Sequence, residues 1–236
     1  MEEKYDIIRD NVFLSVELLE KYKNSPLPLL PEISAMQYSR GGETLHRGYY
    51  CPSLIYDIVI GGANRGKLLK RFSSLPTYCY GFDKNGYLIV SENNVIKSKE
   101  IITRNSNTEF GITIETDGLD AGKIIRISLT SFSSGKIYSY VCCDCSAESQ
   151  IIDCIYGETY EYECGMLKLV YCCMPTVSSH FYNKSSKGSI DKEKIQLTKA
   201  LIEFEHDANG YLKNYCFTDM NTSSSQIYQV YLKRRV

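Results

Sequence analysis

This 236-residue chain is predicted to be mainly β (α+β): one long, twisted antiparallel meander of about ten strands with a single N-terminal helix. Three observations predict it. From Thr77 onward, apolar and polar residues alternate with a period of two, the pattern of half-buried strands with one wet face. The breaks between these runs are short turn pairs: Asn85-Gly86, Asp117-Gly118, Ser134-Gly135, Cys164-Gly165 and Asn209-Gly210. Asn-Gly and Asp-Gly supply the positive φ of tight hairpins, and such hairpins join sequential antiparallel strands. Finally, there are 20 tyrosines and 8 phenylalanines but no tryptophan. Tyrosine suits a half-buried sheet surface, with its ring packed and its hydroxyl wet. A β-sandwich is the alternative, because about ten strands can fold over themselves.

The elements follow in order along a chain read as one domain. Residues 4–23 carry a helical pattern in which Ile7, Ile8, Val12, Leu14, Val16, Leu18, Leu19 and Tyr22 form one broad apolar face. Glu17, Glu20, Lys21 and Lys23 lie opposite. The prolines at 26, 28 and 31 end the helix, since proline cannot continue it and restricts the residue before it. Residues 1–31 are therefore helix and connector. Residues 32–75 are mixed, broken at Gly41-Gly42 and Gly61-Gly62. Residues 76–236 are the meander. In it Phe110, Ile112 and Ile114 alternate with Gly111, Thr113 and Glu115. Likewise Ile125, Ile127 and Leu129 alternate with Arg126, Ser128 and Thr130, and Tyr160 and Tyr162 with Glu161 and Glu163. Near the end, Tyr228, Val230 and Leu232 alternate with Gln229, Tyr231 and Lys233. The Ser-, Lys- and Gly-rich stretch 175–194 interrupts the rhythm and reads as a mobile loop. Phe82 to Leu88 (FDKNGYL) matches His206 to Leu212 (HDANGYL), which predicts one hairpin type used twice.

Several chemical readings are weighed and set aside. Gly61, Gly66 and Lys67 have the spacing of a phosphate-binding loop. Such a loop needs Ser or Thr next, to ligate Mg²⁺, and Leu68 stands there. No alternation of strand and helix follows to build the parallel sheet it belongs to. Ten cysteines include the cluster Cys142, Cys143, Cys145, Cys172 and Cys173. Neighbours on a strand point to opposite faces, so these are read as reduced thiols rather than zinc knuckles. No cofactor is expected. The three histidines, His46, His180 and His206, share no short metal spacing. Cys51 with His46 nearby in sequence is the one nucleophile–base pair to consider, and sequence proximity alone does not make a dyad. The chain is thus expected to be a binding protein and not an enzyme.

The formal net charge is −1, which gives no overall pull toward nucleic acid or membrane. No secretory h-region and no run of about 18 apolar residues is present, which places the protein in a cytoplasm. One stretch stands out. Asp144, Glu148, Asp153, Glu158, Glu161 and Glu163 occur with no Lys or Arg among them, interleaved with Tyr156, Tyr160 and Tyr162. Alternation is expected to bury Tyr160 and Tyr162 and to turn Glu161 and Glu163 outward, where they join Asp144, Glu148 and Asp153 in one electronegative patch; with Glu158 and Tyr156 it is expected to attract a basic partner.

Residues 49–88 resemble immunity proteins of bacterial polymorphic-toxin loci. The residues carrying this are Tyr50-Cys51-Pro52-Ser53, Asp57-Ile58-Val59-Ile60, Arg65-Gly66-Lys67-Leu68-Leu69 and Phe82-Asp83-Lys84-Asn85-Gly86. The two Asn-Gly-Tyr-Leu hairpins are similar to YD-type repeats of the toxins themselves. The resemblance implies a cytoplasmic protein of contact-dependent inhibition that neutralises a cognate toxin domain by direct binding. A basic nuclease would suit the acidic patch. The partner is then protein, with no direct nucleic acid or membrane contact. The alternative is a small-molecule or peptide binding module using the concave face of a curved sheet.

Overall fold

A computed structural model describes residues 2–23, 25–30, 32–55, 64–71, 75–149, 152–175 and 197–230. Its described strands form one open antiparallel sheet rather than a sandwich. They are β1 (Ala35–Arg40), β2 (Lys67–Leu68), β3 (Tyr78–Phe82), β4 (Leu88–Asn93), β5 (Ser98–Arg104), β6 (Thr108–Glu115), β7 (Ile124–Ser133), β8 (Lys136–Cys145), β9 (Ile152–Glu163), β10 (Met166–Pro175), β11 (Leu197–His206), β12 (Leu212–Asp219) and β13 (Ser224–Gln229). From β3 to β13 each strand pairs with its neighbour in sequence, which is the expected meander. The two further strands come from the mixed segment: β1 lies beside β3, and β2 lies on the outer side of β1. The sequence hides β1 because its residues are mostly exposed and show no apolar alternation. The last strand also differs: it is the Ser/Gln-rich β13, all of whose residues are exposed.

Four of the five expected turn pairs form tight hairpins of two kinds; the fifth, Asp117-Gly118, lies instead in a longer connection, residues 116–123, between β6 and β7. Ser134-Gly135 and Cys164-Gly165 put both central residues at positive φ, which matches the right-handed twist of the flanking strands. At Asn85-Gly86 and Asn209-Gly210 only the glycine is left-handed, at φ 81° and 76°. There the organising residue is an aspartate. The Asp83 carboxylate accepts N–H bonds from Asn85 and Tyr87, each 2.9 Å. Asp207 does the same for Asn209 at 2.8 Å and Tyr211 at 2.9 Å. Both turns share a register break that opposes Phe82 to Leu88 and His206 to Leu212. The repeated sequence is one hairpin geometry used twice.

The helix, α1, runs from Glu2 to Tyr22. Tyr5, Ile8, Val12, Val16 and Leu19 recur at helical spacing and are fully buried against β7 to β10. They meet Ile112, Ile127, Val141, Cys143, Ile155, Tyr171 and Cys173 of the sheet. Leu14, assigned to the apolar face by its sequence, is exposed. The approach is close at Gly157, where a Cβ would sit 2.5 Å from Ile8 Cγ2 and 3.2 Å from Val141 Cγ2.

The opposite face of the central sheet is not wet. Residues 42–55, including a 3-10 turn at Gly48–Tyr50, return across it and bury Leu45, Arg47, Cys51, Ser53 and Ile55. Ser128, Thr130, Glu100 and Glu158 are therefore among the least exposed side chains of the described residues. Toward the later strands this layer becomes apolar, with Ile55 against Tyr140, Tyr156, Val170, Cys172 and Ile202. No helix among the described residues is long and apolar enough to cross a membrane. The stretch 175–194, expected as a mobile loop, lies outside the described residues beyond Pro175.

Candidate functional site

Beneath the returning segment, one cross-strand row is polar. Ser91 opposes Glu100, Glu100 opposes Thr113, Thr113 opposes Arg126 and Arg126 opposes Asp144. The segment is tied down by tyrosines of β3: Tyr78 donates to the Leu45 carbonyl at 2.6 Å and Tyr80 to the Arg47 carbonyl at 3.1 Å. This places Arg47 over the row in a left-handed conformation, φ 58°. Its Nε and Nη2 grip Glu100 in a fork, at 2.8 and 3.0 Å, and its Nη1 donates to Glu109 at 2.9 Å. Glu109 takes Arg104 on its other oxygen at 2.8 Å. Ser128 donates to Glu100 Oε1 at 2.9 Å, and Arg126 forks onto Asp144. Gly111 makes room for this, since a Cβ there would fall 1.9 Å from Glu100 Oε1.

His46 completes the network, with Nε2 2.9 Å from Glu100 Oε2 and Nδ1 2.8 Å from the Tyr140 hydroxyl. Burial pushes the His46 pKa down to about 4, against the pull of Glu100, so the ring is neutral at pH 7. Burial alone would raise Glu100, but Arg47 and His46 hold it well below the usual carboxylate range. A neutral ring beside an ionised carboxylate must carry its proton on Nε2 and accept from Tyr140 at Nδ1. Both ring nitrogens are then engaged, and His46 is not placed to serve Cys51 as a base.

A second buried carboxyl lies farther along. Glu158 accepts from Ser53 Oγ at 2.5 Å and from the Tyr160 hydroxyl, and Tyr160 in turn accepts the Leu54 N–H at 3.2 Å. Burial raises the Glu158 pKa to about 7, although those hydrogen bonds and Arg65 oppose the rise. Arg65 donates to the carbonyls of Cys51 and Ser53, which stitches residue 65 to the same turn.

Two openings flank the network. One is a cavity of about 130 Å³ over the polar row, between residues 43–47 and β4 to β7. The other is an open groove of about 400 Å³ between residues 49–54 and the tips of β3, β4, β6 and β7, lined by Tyr49, Tyr50, Phe82, Tyr87, Arg104 and Phe132 among others. The Arg104 guanidinium lies 4.3 Å from the Tyr87 ring centre and 4.4 Å from that of Phe132. Tyr49 and Tyr87 are 39% and 44% exposed, so the groove presents aromatic surface to solvent.

The residues proposed from sequence as one acidic patch do not form one. Glu158 and Tyr156 are buried beneath residues 51–55, at 0% and 5% exposure, and cannot touch a partner. Asp144 is neutralised by Arg126 on that same face. Glu161 turns to the helix side, 3.3 Å from Lys4. Glu148, Asp153 and Glu163 are the members left exposed. The period of two is the reason: Glu158 and Glu161 are an odd number of residues apart on β9, so they leave on opposite faces. The same alternation splits the cysteine cluster. Cys143, Cys145 and Cys173 join the helix-side core, and Cys142 and Cys172 the other. No disulfide links the described cysteines, and burial raises the pKa of all five of these thiols. Lys67 and Leu68 form the edge strand β2; residues 56–63 of the glycine-rich turn lie outside the described residues.

Sequence reasoning missed the Arg47–Glu100–Glu109 cluster because its members come from a loop and two strands more than fifty residues apart at the extremes. Gly111 is the one local signal: a glycine inside a strand marks close approach by another group.

No family model matches the chain, and no curated protein matches it. Solved structures give weak likenesses, among them three toxin-complex chains. The crystal structure of TcdB2-TccC3-Cdc42 is 12% identical, over 71% of this chain and 10% of that one, at a TM-score of 0.24. That of TcdB2-TccC3-TEV is 10% identical over 64% and 10%, at 0.23. A mutant Photorhabdus luminescens Tc holotoxin pore is 10% identical over 64% and 9%, at 0.18. The chain spans about a tenth of those chains, and at these scores the likenesses carry no argument.

Proposed function

We propose that this chain is an immunity-type binding protein that neutralises a cognate toxin domain by direct contact in the cytoplasm of the cell that makes both. The observation that carries a binding role is the tyrosine–arginine groove. The buried charges are tied to one another inside the sheet, while Tyr49 and Tyr87 are exposed beside Arg104, which Glu109 holds in place. Tyrosine and arginine in a pocket are the side chains that dominate protein–protein affinity. The toxin class of the partner is taken from the resemblance of residues 49–88. Of the acidic stretch, Glu163 is exposed at the groove end of β9 to steer a basic partner, such as a nuclease, toward that surface.

The test is co-expression with the toxin domain encoded beside this chain, followed by affinity measurement on the purified pair. Tyr49→Ala and Tyr87→Ala should each weaken binding by about tenfold or more, and protection of cells should fall with it. Absence of a complex would overturn the function. A complex indifferent to both substitutions would move the binding surface elsewhere.

A further inference from the structure

The cavity over the polar row has a feature that the buried network does not explain. Ser91 Oγ and Thr113 Oγ1 both line it, both belong to residues at least nine-tenths buried, and neither has a hydrogen-bond partner. Every neighbouring polar group in the row is satisfied, so two orphaned hydroxyls on one wall are conspicuous. A buried hydroxyl without a partner is destabilising, and native interiors keep few of them. Ser91 and Thr113 flank Glu100 in the same cross-strand row, which sets the two hydroxyls on either side of one carboxylate.

From this geometry we infer that the cavity is a binding site for a small neutral polyol, either a free three- or four-carbon polyol or the terminal diol of a larger sugar. Three observations select that class. The charges lining the site balance: Arg47 and Arg126 against Glu100 and Glu43, with His46 neutral. An anion would meet the two carboxylates, and a cation the two guanidinium groups. The orphaned groups are hydroxyls, each able to donate and to accept, which is what adjacent alcohols offer in return. Leu45, Tyr78 and Ile96 supply apolar wall for the C–H edges of such a molecule.

Size admits such a ligand. A volume of about 130 Å³ is several times the roughly 10–15 Å³ needed to hold one water, which leaves room for a short polyol. Glu43, Thr44 and Ile96 are exposed, so the mouth lies there, and a longer sugar would project through it.

The experiment is saturation-transfer NMR on the full chain with glycerol, erythritol and ribose as probes, and formate and acetate as anion controls. Wild type should show saturable transfer to at least one of the three hydroxyl compounds and none to the anions. The double variant Ser91→Ala/Thr113→Val removes both hydroxyls while keeping their volume. It should fold at least as stably as wild type, because the groups removed are unpartnered. Binding should weaken about 25-fold, two neutral hydrogen bonds at roughly fivefold each. Glycerol or erythritol bound with ribose excluded identifies the free polyol; ribose bound identifies a sugar terminus. No saturable transfer to any hydroxyl compound, equal binding by the double variant, or transfer to formate or acetate instead, would each overturn the assignment.

Discussion

Substituting Glu158 by glutamine should reshape the pH dependence of stability, because two buried groups oppose one another over the same range. The folded-state pKa of Glu158 is raised from 4.5 to about 7. Its stability contribution is whole below pH 4.5 and is lost as pH rises through 7. One pKa unit corresponds to about 1.4 kcal/mol, so the full loss is about 3 kcal/mol. His46 runs the other way. Its pKa is lowered from 6.5 to about 4, so its contribution is whole above pH 6.5 and is lost, by a similar amount, as pH falls through 4. Between pH 4.5 and 6.5 the two slopes cancel, and wild type should be nearly flat there. Glu158→Gln keeps the hydrogen bonds: Ser53 donates to the amide oxygen, and the Tyr160 hydroxyl accepts from the amide nitrogen. The variant should therefore match wild type near pH 4, climb by about 3 kcal/mol toward pH 6.5 as His46 loses its proton, and hold that advantage at pH 8. Urea unfolding followed by circular dichroism at pH 4.5, 5.5, 6.5 and 8 measures it. A variant less stable than wild type at pH 8, or one that stays flat from 4.5 to 6.5, would refute the reasoning.

Three further outcomes follow from the packing. Arg47→Ala strips two buried carboxylates of their partner and should destabilise by about 3–5 kcal/mol, read as a fall in the urea midpoint. Gly157→Ala forces a methyl to within 2.5 Å of Ile8 and should lower stability by about 1–3 kcal/mol, with loss of helical signal before loss of sheet. The melting temperature should be unchanged by excess reductant or chelator, since buried thiols at 143, 145 and 173 pack as small apolar groups; a drop of several degrees would show a cross-link or a metal.

The meander was legible because hairpin chemistry is local. Ser134-Gly135 and Cys164-Gly165 announce tight turns, and the match of FDKNGYL with HDANGYL announces a hairpin built twice. The aspartate that organises that hairpin was equally visible at the second position of each repeat. The turn pair alone suggests φ > 0 at both residues, whereas the asparagine stays at negative φ and the aspartate carboxylate holds the turn. The helix was legible from the spacing of Ile8, Val12, Val16 and Leu19. By contrast β1 shows no alternation because its residues are mostly exposed, and β13, an edge strand that buries little, starts four residues before the alternation that begins at Tyr228.

The misreading of the second face has a single physical origin. Alternation shows that the two faces of a strand differ, and here one face is apolar and the other polar. Polar was equated with wet. A polar face is also what a strand presents when a loop covers it with matching charges and hydroxyls, and the period of two is the same in both cases. Residues 42–55 provide such a cover: Arg47 answers Glu100 and Glu109, Ser53 answers Glu158, and backbone carbonyls at 45 and 47 answer Tyr78 and Tyr80. Each of these pairs is separated by at least 30 residues, so no local window contains both partners. What a window does contain is Gly111, in a strand where Phe110 and Ile112 would favour a larger neighbour. Its missing side chain is the space the Glu100 carboxylate occupies. Carboxylates and hydroxyls on a strand near such a glycine are therefore better assigned to a covered polar layer than to solvent. That assignment moves Glu158 and Tyr156 from the surface to the interior.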